Sequence, residues 1–371
     1  MRVKLGDVCE RGTSNLKLSD VSEKNGEFSV FGASGYIGSV DFYQQGYPYV
    51  AVVKDGAGIG RAMLCPGKTS VIGTMQYLLP KDNILPKYLF YVVKYMNLEK
   101  YFTGATIPHI YFKDYKNEEF NFDFWERQVE IVSVLSKCEK VIDLCKQELQ
   151  LLDKLIKARF VELFGDPVSN SYGLPEATLP DLGEFGRGVS KHRPRNDIKL
   201  LGGKYPLIQT GDVANAGLYI TSYSSTYSEL GLKQSKMWDK GTLCITIAAN
   251  IAKTAILEFD ACFPDSVVGF IANERTNNIF VHYWFSFFQA ILESQAPESA
   301  QKNINLKILS ELKVIVPEKR KQDQFASFVK LTDKSEFVER FPELSLFFKA
   351  YSLLDSEMIC IFPYFCPYAE S

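Results

Sequence analysis

The chain has few of the residues that build metal centres, disulfide networks and membrane spans. Its 371 residues include only three histidines, and its eight cysteines form no Cys-x-x-Cys pair, which argues against a zinc finger and against a disulfide framework. No run approaches the roughly 20 apolar residues that a membrane-spanning helix needs, and the first residues lack the apolar core of a signal peptide. We therefore expect a cytoplasmic protein with no bound metal and no membrane partner.

An excess of charge of one sign is also missing. The formal net charge is −2, which argues against a histone-like coat of positive charge but leaves room for a local basic groove. Apolar residues make up 46% of the chain and charged residues 23%, which is ordinary globular composition. This length predicts two or three domains.

What the sequence does contain is a long internal repeat. Residues 104–135 align without a gap to residues 298–329, so that Gln128 pairs with Gln322 and Ile110 with Ile304, both 194 residues apart (322 − 128 and 304 − 110). Solenoid repeats have periods of roughly 20–50 residues. A repeat at this distance indicates two whole domains of similar design, which we call the first and second heads.

Residue composition and apolar periodicity predict a long helix after each head. In residues 1–124, short β-like runs alternate with glycine-rich turns and one helix at 87–98. Residues 125–164 then contain neither glycine nor proline, and their apolar residues recur at heptad spacing. A helix of roughly 40 residues is about 60 Å long, and its apolar stripe needs a partner.

These patterns define the predicted architecture. We expect an α+β protein with two mixed α/β domains in tandem, separated and followed by long helices that form an antiparallel coiled coil, of which the second helix is truncated near Phe337. The predicted segments are 1–124 (first head), 125–166 (first helix), 167–317 (second head), 318–340 (second helix) and 341–371 (an atypical tail). The predicted helix-pairing seam consists of Val134, Cys138, Val141, Cys145, Leu149, Leu152, Ile156, Phe325 and Phe328.

One glycine motif resembles a nucleotide-binding turn. Gly32, Gly35 and Gly38 match the GxxGxxG turn of nicotinamide-dependent epimerases and reductases. That turn must open a helix of about ten or more residues, whereas Gly46 and Pro48 interrupt the segment that follows it. A tight glycine turn between strands is therefore favoured over a cofactor site.

Two sets of loops are candidates for contacting a polyanion. Residues 56–60 (GAGIG) and 247–253 (IAANIAK) carry small side chains beside cations, although a plain hairpin explains 56–60 equally well. Loops 103–110 and 298–304 carry polar side chains at matching positions, and asparagine, glutamine and lysine are residues that contact base edges. The candidate DNA-binding residues are Ser34, Tyr36, Lys54, Arg61, Thr106, His109, Gln209, Thr210, Asn250, Lys253, Gln301, Lys302 and Asn303.

No set of nucleophile, base and acid is evident. His109, His192 and His282 lie in different contexts, and the sequence has no HExxH motif, no phosphate-binding lysine loop and no DPPY-type methyltransferase motif. We expect a non-catalytic protein that binds no cofactor of its own.

Three motifs give the chain a specific resemblance. KARFVELFGDP at 157–167, PLIQTGDV at 206–213 and AQKNINLK at 300–307, in a head–helix–head–helix order, resemble the specificity subunit of type I restriction–modification enzymes over about residues 1–337. The resemblance implies that each head recognises one half of a bipartite DNA site. It also implies that the helices set the gap and dock methyltransferase subunits for adenine methylation, and that a restriction subunit joins them. S-adenosylmethionine, ATP and Mg²⁺ would then bind to the partner subunits.

Two other functions compete with this one. A nicotinamide-dependent epimerase or reductase would use Gly32–Gly38, and a coiled-coil scaffold would bind protein with its heads.

Overall fold

The computed structural model describes residues 1–21, 26–104, 108–195, 197–248, 251–295, 304 and 306–332. The chain divides into two compact units that meet in sequence between Cys145 and Lys146. Each unit contains one head and part of the long helix between the heads. In the described part of the chain, no helix is long and apolar enough to cross a membrane.

In its described residues, the first unit contains nine strands and the helices around them. The strands are β1 (Arg2–Lys4), β2 (Cys9–Thr13), β3 (Phe28–Gly32), β4 (Gly35–Val40), β5 (Tyr49–Val53), β6 (Ala62–Cys65), β7 (Ser70–Val71), β8 (Met75–Pro80) and β9 (Glu119–Asn121). The helices are α1 (Leu5–Val8), α2 (Pro86–Tyr95), α3 (Phe112–Tyr115) and the start of α4 (Trp125–Phe164), with 3₁₀ turns at Leu18–Asp20 and Leu98–Tyr101.

The second unit has a similar order of elements. Its strands are β10 (Glu176–Ala177), β11 (Gly183–Arg187), β12 (Leu201–Leu207), β13 (Tyr219–Ile220), β14 (Ser225–Tyr227), β15 (Met237–Trp238), β16 (Leu243–Thr246), β17 (Thr254–Leu257), β18 (Ala261–Cys262), β19 (Val267–Ala272) and β20 (Val314–Ile315). Its helices are α5 (Leu179–Leu182), α6 (Thr210–Asn215), α7 (Glu229–Lys233), α8 (Asn278–Gln295), α9 (Leu306–Glu311) and α10 (Lys319–Leu331), with a 3₁₀ turn at Ile198–Leu200.

The sheets confirm that the two heads share one topology. The larger sheet of the first head has the strand order β2-β8-β5-β6, and that of the second head has the order β11-β19-β16-β17-β13. The smaller sheets contain β4-β3-β7 and β14-β12-β18-β15. The central strands are fully buried in both heads, because β-branched and aromatic side chains such as those of Tyr49–Val53 pack well on both faces of a covered sheet.

The registers bring three strand ends together in each head. In the first head, Thr13 at the end of β2 pairs with Gln76, and Val53 at the end of β5 pairs with Met75, the first residue of β8. The second head repeats this arrangement with β11, β16 and β19. We call this end of the larger sheet the loop edge. The loops that follow β2 and β5, or β11 and β16, leave the head there.

Helix α4 spans Trp125–Phe164, which is the stretch that contains neither glycine nor proline. It ends because Gly165 adopts a left-handed φ of 75° and its N–H bonds to the Val161 carbonyl at 2.8 Å, an arrangement that commonly ends helices. The predicted helix at 87–98 ends earlier, at Tyr95, since Asn97 has a left-handed φ of 47°. Helix α10 begins next to the predicted Glu318.

The predicted seam of α4 is covered unevenly. Ile156 and Cys145 are buried, and Cys138, Leu149 and Leu152 are partly buried, whereas Val134 and Val141 are 49% and 47% exposed. The seam therefore stays a prediction. The second helix beyond Thr332 and the tail 341–371 lie outside the described residues.

Near its C-terminal end, α4 packs against α10 within the second unit. The Phe164 and Phe160 rings both contact Phe325, with centroids 5.8 and 5.3 Å apart. The Arg159 guanidinium lies 5.9 Å from the centre of the Phe328 ring. The later residue of α10, Phe328, therefore contacts the earlier residue of α4, Arg159. This is the order of contacts that antiparallel helices give.

Candidate nucleic-acid interface

Two loops meet at the loop edge of the first head. In the loop after β5, the Lys54 carbonyl accepts a hydrogen bond from the Ile110 N–H at 2.9 Å. The Gly56 N–H of the same loop donates to the Pro108 carbonyl at 3.0 Å. Thr103 and His109 exchange two backbone hydrogen bonds of 2.8 and 2.9 Å. The structure thus brings together the two segments that the sequence proposed separately.

The second head joins its loops through equivalent hydrogen bonds. The Ile304 N–H donates to the Ile247 carbonyl at 2.9 Å, as Ile110 does to Lys54 in the first head. Each loop is also closed by backbone hydrogen bonds, among them that from the Gly60 N–H to the Val53 carbonyl at 2.8 Å and that from the Ala252 N–H to the Thr246 carbonyl at 2.9 Å. Gly60 and Ala252 both have left-handed φ values, 79° and 57°. The two heads therefore carry one loop frame.

Polar side chains connect the two loops of the first head. Lys54 Nζ lies 3.6 Å from Asp55 Oδ2, and His109 Nδ1 contacts Asp55 Oδ1. All three side chains are partly exposed, so they present hydrogen-bonding groups to solvent at the loop edge. The Arg61 side chain folds over its own loop and donates Nε to the Gly58 carbonyl at 3.2 Å.

The glycine loop 56–60 is a hairpin connection between β5 and β6. Gly56, Gly58 and Gly60 all have left-handed φ values, which glycine adopts without steric cost. The amides of Gly56 and Gly60 already donate to carbonyls of the head. These two N–H groups are therefore already hydrogen-bonded within the head.

Ser34 and Tyr36 lie on the smaller sheet and not between the two loops. Gly32 ends β3 and Gly35 begins β4, so Ala33 and Ser34 form the turn of an antiparallel hairpin. The motif 32–38 is therefore the tight turn between strands that the sequence favoured, and no helix follows it. Tyr36 is exposed, and its ring packs edge-on against Phe31.

Gln209 and Thr210 occupy the matching place in the second head. They follow β12, which pairs in parallel with β18 as β3 pairs with β7. Gln209 is exposed, and its N–H donates to Asp212 Oδ2 at 2.7 Å. The Lys253 N–H donates to Thr246 Oγ1 at 3.0 Å. Five candidates lie outside the described residues: Thr106, Asn250, Gln301, Lys302 and Asn303.

A basic segment that was not predicted from the sequence follows β11. Arg187, Lys191, Arg193, Arg195 and Lys199 are all exposed. Their signal was present as five cations in thirteen residues, but the first head has no such segment, and a search for repeated features overlooks it.

Two acidic residues bind to side chains and backbone groups of this basic segment. Asp265 lies 3.4 Å from Arg193 and contacts Arg195. Asp197 accepts the Lys199 N–H at 3.0 Å and lies 3.2 Å from the His192 ring. Both interactions, that with the Lys199 N–H first, lower the pKa of the Asp197 carboxyl, so this group is ionised near neutral pH.

Other kinds of site find no support in the described residues. They contain no group of three or more histidine, cysteine, aspartate or glutamate side chains that could hold a metal ion. The His282 ring lies 4.9 Å from the Tyr283 ring, and its Nδ1 lies 2.9 Å from Thr254 Oγ1.

Comparison with known proteins agrees with the doubled architecture. A relative named as the type I restriction enzyme MjaX specificity subunit of Methanocaldococcus jannaschii is 22% identical over 292 residues, which are 74% of this chain and 68% of the relative. The MjaIX specificity subunit of the same organism is 26% identical over 179 residues, 43% of this chain and 40% of that protein.

A solved structure shares the fold over nearly the whole length. The S subunit of a type I restriction–modification system from M. genitalium matches with a TM-score of 0.60 and 17% identity, covering 95% of this chain and 94% of that one. The family model described as the type I restriction modification DNA specificity domain matches twice, at residues 1–154 and 176–340. The chain therefore belongs to the family of type I restriction–modification DNA specificity domains.

Proposed function

We propose that this chain is the DNA specificity subunit of a type I restriction–modification enzyme and that the loop edge of each head recognises one half of a bipartite site. The observation that carries the proposal is the duplicated loop frame, in which Ile110 bonds to Lys54 and Ile304 bonds to Ile247. Two copies of one frame are suited to a target with two similar parts.

Different side chains on the shared frame favour two different half-sites. The first head presents Lys54, Asp55 and His109, whereas the two positions that follow the central strand of the second head are the buried Ile247 and the partly exposed Ala248. Side chains in a groove discriminate base pairs by their pattern of donors and acceptors. The two heads would therefore prefer different sequences, and the target would be asymmetric.

The remaining parts of the enzyme belong to partner subunits in this proposal. Apolar residues along α4, among them Val141, Leu144, Leu151 and Leu155, are exposed and would dock methyltransferase subunits. Those subunits would carry S-adenosylmethionine and methylate adenine, and a restriction subunit would supply the ATP- and Mg²⁺-dependent steps. The chain itself would be non-catalytic and would act on DNA in the cytoplasm.

Selection from a random duplex pool tests the proposal. The full chain, assembled with its methyltransferase subunits, should enrich two short blocks separated by a constant gap. His109→Ala should alter one block only, because His109 lies on the loop edge of the first head. Asp82→Ala is the matched control, since Asp82 is exposed and follows the opposite end of β8.

Enrichment without sequence preference would contradict the proposal and favour a scaffold. A His109→Ala profile identical to that of the unmodified complex would remove His109 from the interface. Thermal unfolding of both variants establishes that the heads remain folded.

A further inference from the structure

The second head carries a basic surface that the first head lacks. We call residues 187–199 the basic loop; it contains Arg187, Lys191, Arg193, Arg195 and Lys199 against one acid, Asp197. The corresponding stretch of the first head, residues 11–27, contains three cations and three acids. The repeat thus preserves the strands and changes the charge of the loop between them.

The cations of the basic loop are largely free to meet an anion. Arg187, Lys191 and Lys199 have no carboxylate within 4.0 Å among the residues that the structure describes. Arg193 and Arg195 share the single carboxylate of Asp265. The net charge of these three side chains is therefore positive. A guanidinium has five N–H donors, and a shared carboxylate leaves several of them for another acceptor.

Residues 189–193 of the basic loop are held in place by hydrogen bonds. The His192 N–H donates to Gln234 Oε1 at 3.0 Å, and the Arg193 guanidinium donates to the Ser190 carbonyl at 2.6 Å. The Ser235 hydroxyl donates to the Val189 carbonyl at 2.8 Å. A loop that is already ordered loses little conformational entropy when it binds.

Its position is beside the loops that are proposed to read bases. Gly188 N–H donates to the Val267 carbonyl at 2.9 Å, at the start of β19. Next to it, Ser266 accepts the Ile247 N–H at 3.0 Å, and Ile247 accepts the N–H of Ile304. Asp265, which holds the two arginines, is therefore one residue from the shared loop frame.

We propose that the basic loop binds the phosphate backbone of duplex DNA next to the half-site of the second head, and that this head supplies more of the phosphate-dependent affinity than the first. The inference rests on the proposed function and assigns a specific contact to it. Phosphate contacts fix the position and register of a protein on DNA, while base contacts discriminate sequences. One strongly anchored head would thus position the complex, and the other would add discrimination.

Salt dependence of binding tests this inference. The logarithm of the affinity falls with the logarithm of salt concentration by about 0.9 for each phosphate contact. In the full chain with its methyltransferase subunits, Lys191→Gln combined with Arg195→Gln should reduce that slope by about two. The reduction should be equal for two duplexes of unrelated sequence, as measured by fluorescence anisotropy.

The chain offers a matched control of the same charge. Arg320 and Lys321 are exposed at the start of α10, where Gln322 bonds to the Arg275 carbonyl beyond the far end of β19. Arg320→Gln combined with Lys321→Gln should leave the slope unchanged. Lys191→Gln alone, which removes only an exposed side chain, should reduce the slope by about one even if the double variant is unstable.

The outcomes separate the inference from the proposed function. Absence of duplex binding by the unmodified complex would contradict the proposed function itself. Normal binding with an unchanged slope in the Lys191→Gln and double variants would contradict the basic loop alone. The Lys191→Gln variant could instead lose affinity for RNA or for anionic vesicles while its salt slope on duplex DNA stays unchanged. That result would also contradict the role of the basic loop in DNA binding, and it would assign the surface to a different polyanion.

Discussion

At the scale of single residues, a buried glutamine connects the first long helix to its head. Gln128 is fully buried, and its amide nitrogen donates to the carbonyls of Asn83 and Asp123 at 3.0 and 2.9 Å. Its amide oxygen accepts the Leu85 N–H at 2.9 Å. The side chain thus joins the first turns of α4 to the segment that leads into α2.

The second head uses the equivalent residue in the same way. The Gln322 amide nitrogen donates to the Arg275 and Pro317 carbonyls at 3.0 and 2.8 Å, and its oxygen accepts the Thr276 hydroxyl at 2.9 Å. The sequence repeat aligned the two glutamines. Their partners explain why a polar residue is buried at this position, since buried polar groups require hydrogen bonds.

Removing this amide should destabilise the second unit. Gln322→Leu leaves one buried hydroxyl and two carbonyls without their partner, and each unsatisfied buried group costs about 1–3 kcal/mol. We expect a loss of roughly 3 kcal/mol in the free energy of unfolding, measured by urea denaturation. Gln324→Leu, at an exposed position of the same helix, should change it by less than about 0.5 kcal/mol. Equal denaturation midpoints would contradict this role.

Two glycines of the first head should differ in their tolerance of alanine. Gly56 and Gly60 have similar left-handed φ values, 85° and 79°, so alanine is strained at both. A Cβ at Gly60 would lie 2.4 Å from the Glu99 amide nitrogen, whereas a Cβ at Gly56 has nothing within 4 Å. Gly60→Ala should therefore destabilise the first unit by about 1–3 kcal/mol more than Gly56→Ala. Thermal denaturation of both variants measures the difference, and equal losses would exclude the clash.

At the scale of elements, the end of α4 is part of the core of the second unit. The Phe160 side chain is fully buried, and its ring centroid lies 5.3 Å from those of Phe280 and Phe325. Aromatic residues of this size contribute much of the energy of a core. The C-terminal part of α4 is therefore fixed by packing as well as by its own helix propensity.

Truncating this ring should cost far more than truncating an exposed residue of the same helix. Phe160→Ala should reduce the free energy of unfolding by about 3–5 kcal/mol. Leu151 is 62% exposed, so Leu151→Ala should have an effect below about 0.5 kcal/mol in the chain without its partners. Denaturant unfolding compares the two variants, and similar losses would indicate that α4 does not anchor the second unit.

Local sequence signals predicted where the helices and strands lie better than they predicted which of them pack together. The run without glycine or proline gave the bounds of α4 because helix continuity is a local property. The heptad pattern did not predict that Val134 and Val141 are about half exposed, at 49% and 47%, because burial depends on what packs against the stripe. The early end of α2, at Tyr95, carried no glycine or proline signal.

The candidate site was predictable where the two heads agree. The repeat identified the loops that contain His109 and Ile304, but the contact of His109 with Asp55 joins residues far apart in sequence. The basic loop was missed because it has no counterpart in the first head. A comparison of two copies finds what they share, and the side chains that distinguish two targets are those that differ.

At the scale of the whole molecule, the chain is one head design used twice with different loops. The topology of both larger sheets and the hydrogen bonds between their loops are repeated, while the charged side chains at the loop edges are not. Since each head contains its own sheets and core, each should recognise its half-site independently.

Exchange of one head tests this independence. Replacing residues 167–317 with the corresponding domain of another family member should change one half of the methylated sequence and leave the other half intact. Long-read sequencing of DNA from cells that carry the chimera reads both halves at once. Simultaneous change of both halves would show that the heads do not act separately.

The most direct test of the account is a map of methylated adenines in a genome exposed to this chain and its methyltransferase subunits. The account predicts one bipartite motif, with two short specific blocks at a constant spacing, that disappears when the chain is omitted. Methylation at a single continuous motif, or a motif that persists without the chain, would contradict it.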